Sequence, residues 1–111
     1  MTSQISPVQP AKLVALHPEV TPTEYFLTRK LCLMGRDNIC QVIIPLKTVS
    51  RIHAIIKVEQ SGHYSLRDGN SINGTYINGR RLTGLHKLQD RDEIGLGSAI
   101  TLLRFEILLW P

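Results

Sequence analysis

Residues 52–58 carry the sequence Ile-His-Ala-Ile-Ile-Lys-Val, the clearest β-strand pattern in the chain. Side chains along a strand point alternately to its two faces. One face here is apolar and carries Ile52, Ala54, Ile56 and Val58. The other face is mixed and carries Arg51, His53, Ile55 and Lys57. Gln60-Ser61-Gly62 favours a turn into residues 63–67, so the pattern predicts a β-hairpin with one buried face.

Shorter β-type segments lie on both sides of this hairpin. They span residues 12–16, 25–34, 42–44, 75–77 and 100–109. Turn-forming residues separate them, including the loop at 18–24, the turn at 68–71 and the Asn78-Gly79 dipeptide. No window combines helical periodicity with helix caps. Short strands between closely spaced turn signals predict an all-β sandwich.

The composition indicates one soluble globular domain. A chain of 111 residues with 42% hydrophobic and 20% charged content can bury a core without disulfides or a metal. Residues 1–11 contain Pro7 and Pro10 and are interpreted as a flexible leader, and residues 12–111 as the domain. Trp110 and Pro111 at the end indicate a domain boundary or a truncation, so the chain can be a fragment of a longer protein.

Three features favour a cytoplasmic protein without a membrane partner. No apolar stretch reaches the roughly eighteen residues of a membrane span. The start of the chain lacks the basic and apolar segments of a secretory signal. Cys32 and Cys40 fit neither a disulfide framework nor a zinc-ligand spacing, and we expect buried thiols in a reducing compartment.

Three polar clusters follow one another along the chain, next to predicted strands. They are Gly35-Arg36, then Ser50-Arg51-Ile52-His53, then Asn73-Gly74-Thr75 with Asn78-Gly79 close behind. Two guanidiniums and a hydroxyl can hold a phosphate, and a carboxamide can hold a peptide backbone. The chain has no metal-ligand cluster, no Walker-type phosphate loop and no Gly-x-Ser-x-Gly elbow. The clusters therefore favour binding over catalysis.

The order and spacing of these clusters resemble the forkhead-associated (FHA) domain, a family that reads phosphothreonine peptides. The family pattern is Gly-Arg, then Ser-x-x-His, then Ser-x-Asn-Gly-Thr followed by Asn-Gly. This chain has Gly35-Arg36, Ser50-x-x-His53, Ser71-x-Asn73-Gly74-Thr75 and Asn78-Gly79. The resemblance covers about residues 12–109. It implies a β-sandwich of two mostly antiparallel sheets, with about eleven strands and the binding loops at one end.

The resemblance also implies roles for single residues. Arg36, Ser50 and Arg51 correspond to phosphate ligands, and Asn73 corresponds to the residue that hydrogen-bonds the peptide main chain. The supporting positions are Gly35, His53, Gly74, Thr75, Asn78 and Gly79. Ser50 and His53 could suggest a nucleophile with its base, but in the family this histidine holds the binding loops.

Four residues are candidates for selecting the sequence around the phosphothreonine: Thr48, Ile72, Arg80 and Arg81. Ile72 stands where some family members place a polar side chain, so only its backbone could add a contact to the phosphothreonine. The pair Arg80-Arg81 hints at an acidic residue in the target.

The predicted function is phosphothreonine-dependent binding of a partner protein in Ser/Thr kinase signalling, with no enzymatic activity and no cofactor. We expect a monomer, although phosphorylation of the 21–24 loop or of Thr2, Ser3 or Ser6 would allow self-association. One alternative is an FHA-like protein-protein scaffold without phosphate dependence. The other is a nucleic-acid-binding β domain, which the net charge of +4 favours and the lack of aromatic residues among the basic ones opposes.

Overall fold

The structure is a computed structural model that describes residues 9–108. This part of the chain contains eleven β-strands and no helix. In chain order the strands are β1 (Ala11–Ala15), β2 (Glu24–Phe26), β3 (Leu31–Gly35), β4 (Val42–Ile43), β5 (Ala54–Val58), β6 (Tyr64–Asp68), β7 (Thr75–Ile77), β8 (Arg80–Arg81), β9 (His86–Lys87), β10 (Glu93–Leu96) and β11 (Leu103–Ile107).

The strands form two sheets. One sheet has six strands in the order β2-β1-β11-β10-β7-β8, and the other has five strands in the order β4-β3-β5-β6-β9. The strand pairs are antiparallel apart from β3 and β4, which run parallel. The all-β sandwich of mostly antiparallel sheets, with the strand number that the FHA resemblance implies, is confirmed.

The core lies between the two sheets. Along the first residues of β1, β5 and β11, buried side chains alternate with more exposed ones, because one face of each strand packs on the core. Phe105 on β11 is fully buried, and its ring packs edge to face on Tyr64 of β6 with 5.4 Å between ring centroids. This contact joins the two sheets, since β11 belongs to the six-stranded sheet and β6 to the five-stranded one.

The local strand and turn predictions are confirmed, with boundaries that shift by a few residues. β5 and β6 form the predicted hairpin, and β7 spans the predicted residues 75–77. Asn78 and Gly79 both have positive φ, 51° and 83°, as a two-residue hairpin turn between β7 and β8 requires. The strands β8, β9 and β10 are not among the predicted segments.

The prediction of one strand over residues 25–34 is wrong. β2 pairs with β1 in the six-stranded sheet, whereas β3 pairs with β5 in the five-stranded sheet. Residues 27–30 cross between the sheets, and Leu27 turns into the core while its N–H donates to the Ala11 carbonyl at 2.9 Å. A single strand could not pair in both sheets, so the β-favouring segment 25–34 is divided into two strands.

The alternation predicted for residues 51–58 fails at its beginning. Ile52 precedes β5 and is 38% exposed, whereas His53 is fully buried. The chain bends at residues 51–52 before it enters the strand. The face assignment is correct only from Ala54 onward.

β1 begins at Ala11, inside the segment interpreted as a leader. Residues 1–8 and 109–111 lie outside the described residues, and with them the interpretations of Thr2, Ser3, Ser6, Trp110 and Pro111. Cys32 and Cys40 are buried free thiols. Burial raises the pKa of Cys32 to about 12, with a further contribution from the nearby Cys40. None of the described residues belongs to a helix long and apolar enough to cross a membrane.

We expect Phe105→Ala to lower the free energy of unfolding by about 3–5 kcal/mol, because it removes a fully buried ring and leaves a cavity between the sheets. Phe26→Ala is the matched control, since that ring is 50% exposed and its loss should cost below about 1 kcal/mol. Urea denaturation measures both. Similar costs for the two variants would contradict the position assigned to Phe105.

Candidate functional site

The three polar clusters meet at one end of the sandwich. Loops β3–β4, β4–β5 and β6–β7 surround an open depression of about 510 Å³. Its lining residues are Arg36, Asp37, Ser50, Arg51, Ile52 and Ile72. The structure thus brings together residues separated by up to 36 positions in the sequence, from Arg36 to Ile72.

The segment 48–50 is the point at which these loops are joined. The Arg36 Nε–H donates to the Val49 carbonyl at 2.9 Å. The Asn73 carboxamide nitrogen donates to the Thr48 carbonyl at 3.0 Å, and the Ile72 N–H donates to Ser50 Oγ at 3.2 Å. Side chains from all three clusters therefore converge on one solvent-open rim.

The two arginines of the depression are exposed and have no carboxylate within 4 Å among the described residues. Asp37 also lines the depression, and one of its carboxylate oxygens accepts the Ile39 N–H at 3.0 Å. The carboxylate of Asp37 forms no salt bridge with Arg36. The positive charges of Arg36 and Arg51 are thus available to an anion from solvent.

His53 connects the loops beneath the depression through both ring nitrogens. The Ser50 N–H donates to Nδ1 at 2.9 Å, so the ring hydrogen lies on Nε2, which donates to the Gly74 carbonyl at 2.8 Å. Burial lowers the pKa of His53, and the contacts with Gly74 and Asp68 oppose that shift only in part. The ring contacts the backbone of Ser50 rather than its hydroxyl, so these two residues do not form a nucleophile–base pair.

Asp68 supports the loop that carries Asn73, a role the sequence analysis missed. Its carboxylate accepts hydrogen bonds from the Ser71 hydroxyl at 2.5 Å, the Ser71 N–H at 2.8 Å and the Thr75 hydroxyl at 2.7 Å. Partial burial raises the pKa of Asp68, but these hydrogen bonds outweigh it and hold the pKa below the ordinary value. The sequence signal for this role was Ser71 three residues after Asp68, a spacing at which an aspartate can accept hydrogen bonds from a turn.

Two glycines allow the backbone to approach closely at the rim. A β-carbon on Gly35 would lie 2.2 Å from the Arg51 carbonyl oxygen. A β-carbon on Gly97 would lie 2.4 Å from the Thr48 carbonyl oxygen. Gly35 was named from the sequence as a supporting residue, whereas the contact of Gly97 with Thr48 was not foreseen.

The β7–β8 turn is fixed from the neighbouring strand. Asn78 donates to the Asp92 carboxylate at 3.0 Å and accepts the Glu93 N–H at 2.9 Å. His86 contacts the other carboxylate oxygen of Asp92 at 2.8 Å. Burial raises the pKa of Asp92, but the hydrogen bonds from Gln89, His86 and Asn78 lower it further than burial raises it.

The four candidate specificity residues are exposed, and they occupy different parts of this end. Ile72 is 86% exposed and lines the depression. The backbone N–H of Ile72 already donates to Ser50 Oγ, so this N–H positions the Ser50 hydroxyl and is not free to bind a ligand. Thr48 lies beside Asn73 and Gly97, and Arg81 lies against Gly74. Within residues 9–108, no group of three or more His, Cys, Asp or Glu side chains could hold a metal ion.

Residues 32–97, more than half of the chain, match the family model of the FHA domain. The ABC transporter ATP-binding/permease protein Rv1747 of Mycobacterium tuberculosis is 38% identical to this chain over 65 residues. Those residues are 59% of this chain and 7% of the transporter, so the chain corresponds to a small part of that relative.

Solved FHA domains superpose on the structure over nearly all of their length. One, from an analysis of phosphothreonine-dependent FHA domain interactions, is 26% identical and has a TM-score of 0.78. The match covers 91% of this chain and 99% of that domain. The MEK1 FHA domain, solved in complex with a HOP1 phosphothreonine peptide, is 29% identical and has a TM-score of 0.70. Here 90% of this chain and 98% of that domain are covered.

We expect Gly35→Ala to destabilise the fold by about 1–3 kcal/mol, because its β-carbon would collide with the carbonyl of Arg51. The amide NMR signals of residues 48–53 should shift together. Gly84→Ala is the control for the steric contact, because a β-carbon on Gly84 meets nothing within 4 Å. In that variant only the positive φ of 78° is unfavourable for alanine. Unshifted signals for residues 48–53 in Gly35→Ala would contradict the close approach.

We expect protonation of His53 to destabilise the folded protein. Because the folded-state pKa lies below the ordinary value of 6.5, the unfolded chain takes up this proton first as the pH falls. The free energy of unfolding should therefore decrease below about pH 6.5 until the folded-state pKa is reached. Urea denaturation between pH 5 and 8 (a window of about 1.5 units on either side of that value) measures this effect.

His53→Gln serves as the non-titrating comparison. The variant should be less stable at pH 7.5 (about one unit above the ordinary pKa), and it should lose part of the acid sensitivity of the wild type. The other histidines remain in both proteins, so the difference between the two pH profiles belongs to His53. Parallel profiles would show that His53 does not titrate as described.

Proposed function

This chain belongs to the FHA domain family, and from that membership and the geometry of its rim we propose that it binds phosphothreonine-containing segments of partner proteins. The observation that carries the proposal is the depression in which two arginines, with no carboxylate within 4 Å among residues 9–108, lie beside the hydroxyl of Ser50. We place the phosphate there, against Arg36, Ser50 and Arg51.

The hydroxyl of Ser50 is suited to donate to a phosphate oxygen. Its oxygen accepts the Ile72 N–H, and its own hydrogen has no acceptor among the described residues. The side chain of Arg36 uses Nε to bond Val49, which leaves the terminal nitrogens of its guanidinium for the phosphate. The hydrogen bond to the Val49 carbonyl therefore orients the guanidinium of Arg36 for phosphate binding.

Asn73 is suited to hold the main chain of the peptide. One carboxamide hydrogen is used by Thr48, which orients the amide. The side-chain oxygen and the second hydrogen have no partner within residues 9–108, and they can accept from and donate to an extended peptide. Binding would thus combine a phosphate contact with a main-chain contact.

The energetic weight of the phosphate supports a switch-like response. A phosphothreonine carries a charge of about −1.5 to −2 and three acceptor oxygens. Two or three charge-assisted hydrogen bonds, each contributing about 1.5–3 kcal/mol, approach the roughly −8 kcal/mol of a micromolar complex. An unphosphorylated threonine lacks these bonds, so a Ser/Thr kinase would control the interaction.

The proposed role of this chain is that of a binding module in cytoplasmic signalling, without catalytic activity or a cofactor. Two free buried cysteines are in keeping with a reducing compartment. Phosphorylation of Thr21 is not favoured as a route to self-association. Thr21 exchanges two main-chain hydrogen bonds with Ile43, at 3.0 and 2.8 Å, and so cannot offer Asn73 a free extended backbone.

We expect calorimetric titration to show binding of a degenerate phosphothreonine peptide pool and none of its dephosphorylated twin. Arg36→Ala should weaken binding by about ten-fold or more, because it removes a charge-assisted contact. Arg29→Ala is the control, since Arg29 lines a separate groove with residues such as Lys57 and Tyr64. Equal binding of both pools, or equal losses in both variants, would contradict the proposed site.

A further inference from the structure

The side of the five-stranded sheet that faces away from the core carries aliphatic side chains at its centre. Burial alternates along β3 and β5, which places Leu31 and Leu33 of β3 and Ile55 of β5 on this side. Leu33 is directly opposite Ile55, and residues opposite each other in a strand pair share a face. Leu31 is 49% exposed, and the other two are half-buried. Solvent therefore meets aliphatic side chains where the outward side of a sheet usually carries polar ones.

Exposed cations lie beside this aliphatic group on the same side of the sheet. Arg67 of β6 is the residue opposite Ile55. Lys57 lies two residues after Ile55 and shares its face. Lys87 of β9 lies in the row of Lys57, because both residues pair with Ser65 of β6. We call this surface the outer face, and it consists of Leu31, Leu33, Ile55, Lys57, Arg67 and Lys87.

The charge of the outer face is not balanced within the described part of the chain. Arg67 and Lys87 have no carboxylate within 4 Å among residues 9–108. Lys57 is 4.0 Å from one carboxylate oxygen of Glu59, and the other oxygen accepts the Ser65 hydroxyl at 2.6 Å. One carboxylate thus stands beside three cations, and the outer face keeps a net positive charge.

The outward side of the six-stranded sheet is built differently. Lys12 forms a salt bridge with Glu24 at 2.9 Å. Arg104 forms one with Glu106 at 2.8 Å. These two cations are neutralised within their own sheet, whereas the cations of β6 and β9 on the outer face are left for a partner.

The charge of the outer face restricts what can cover it. A second copy of this chain would place the same cations against one another. Residues 1–8 and 109–111 contain no Asp or Glu, so they carry no acidic side chain to match it. The outer face has no aromatic side chain on which a nucleic-acid base would stack. The matching surface is therefore that of another protein, with carboxylates beside aliphatic side chains.

The dimensions of the aliphatic group fit one helix. Neighbouring strands lie about 4.8 Å apart, and a helix with its side chains is about 10 Å across. One helix would cover β3 and β5 together, and its edge would reach β6, which carries Arg67. The part of the chain that the structure describes has no helix of its own to lie there. A helix with an apolar side and acidic edges satisfies both the shape and the charge.

We propose that the outer face docks an acidic amphipathic helix of a partner protein. The three aliphatic side chains receive the apolar side of the helix. Lys57, Arg67 and Lys87 bind the carboxylates along its edge. This docking does not require the phosphothreonine site, because that site is built from loops at one end of the sandwich and the outer face lies on its side.

The test is fluorescence anisotropy with a labelled helical peptide of about 20 residues, in which leucines form one side and glutamates flank them. We expect the wild-type protein to bind it with a Kd below about 0.1 mM. A scrambled peptide of the same composition should bind at least about ten-fold more weakly, and so should a peptide with lysine in place of glutamate. Equal binding of the three peptides, or no binding of any, overturns the proposal.

Ile55→Thr should weaken binding of the helical peptide about five-fold or more, because it removes an aliphatic contact and keeps a β-branched residue in the strand. Arg67→Glu should weaken it by a similar factor through repulsion of the glutamates. Val14→Thr and Arg104→Glu are the matched controls, since these two residues are opposite each other on the outward side of the six-stranded sheet. Thermal unfolding checks the fold of all four variants. Equal losses in the test and control variants would exclude the outer face as the binding surface.

Amide NMR signals locate the bound peptide on the wild-type protein without any substitution. The signals of residues 31–33, 55–57 and 65–67 should shift when the helical peptide is added. Shifts centred on residues 36 and 50–51 instead would mean that the acidic peptide binds the arginines of the rim, and the proposal would be wrong.

Competition separates this docking from the proposed function and from nucleic-acid binding. The degenerate phosphothreonine pool should leave the helical peptide bound, and so should a random single-stranded oligonucleotide. Displacement by the phosphothreonine pool would place the helical peptide at the rim, and displacement by the oligonucleotide would assign the outer face to nucleic acid. If the phosphothreonine pool itself fails to bind while the helical peptide shifts the signals of the outer face, the proposed function fails and the docking surface stands.

Discussion

The pair of hydrogen bonds made by the ring of His53 holds the binding end together. One nitrogen accepts from the backbone of Ser50, and the other donates to the carbonyl of Gly74, so one buried ring joins the loop that carries Ser50 to the loop that carries Asn73. Both bonds require the neutral ring with its hydrogen on Nε2. The geometry of the rim therefore depends on a fully buried residue that does not line the depression.

The site lies where the chain passes from one sheet to the other. Arg36 and Ser50 extend from loops of the five-stranded sheet, and the β6–β7 connection that carries Asn73 leads from that sheet into the six-stranded one. The core between the sheets, including the contact of Phe105 with Tyr64, holds the two sheets together. Packing in the interior thus contributes to the distance between Arg36 and Ser50 on one side and the carboxamide of Asn73 on the other.

Sequence patterns predicted the features that depend on neighbours in the chain. The β5–β6 hairpin, the strand at 75–77 and the Asn78-Gly79 turn follow from alternation and from turn residues. The split between β2 and β3 depends on partners in different sheets, which no local window contains. The same reason applies to Gly97, because its close approach to Thr48 joins distant parts of the chain. Motif spacing identified Arg36, Ser50 and Asn73, whereas the contact of Arg81 with Gly74 is visible only in the structure.

β1 and β11 lie side by side, with Ala11 opposite Ile107. Just before β1, the Gln9 carbonyl accepts a hydrogen bond from the Tyr64 hydroxyl. Tyr64 lies at the end of the β5–β6 hairpin that is opposite to Ala54 and Asp68. Polypeptide attached before β1 and after β11 would leave the sandwich from neighbouring points, away from the rim. A host chain could therefore carry this domain as an insertion or at either terminus and leave the rim formed by Arg36, Ser50 and Asn73 open to solvent.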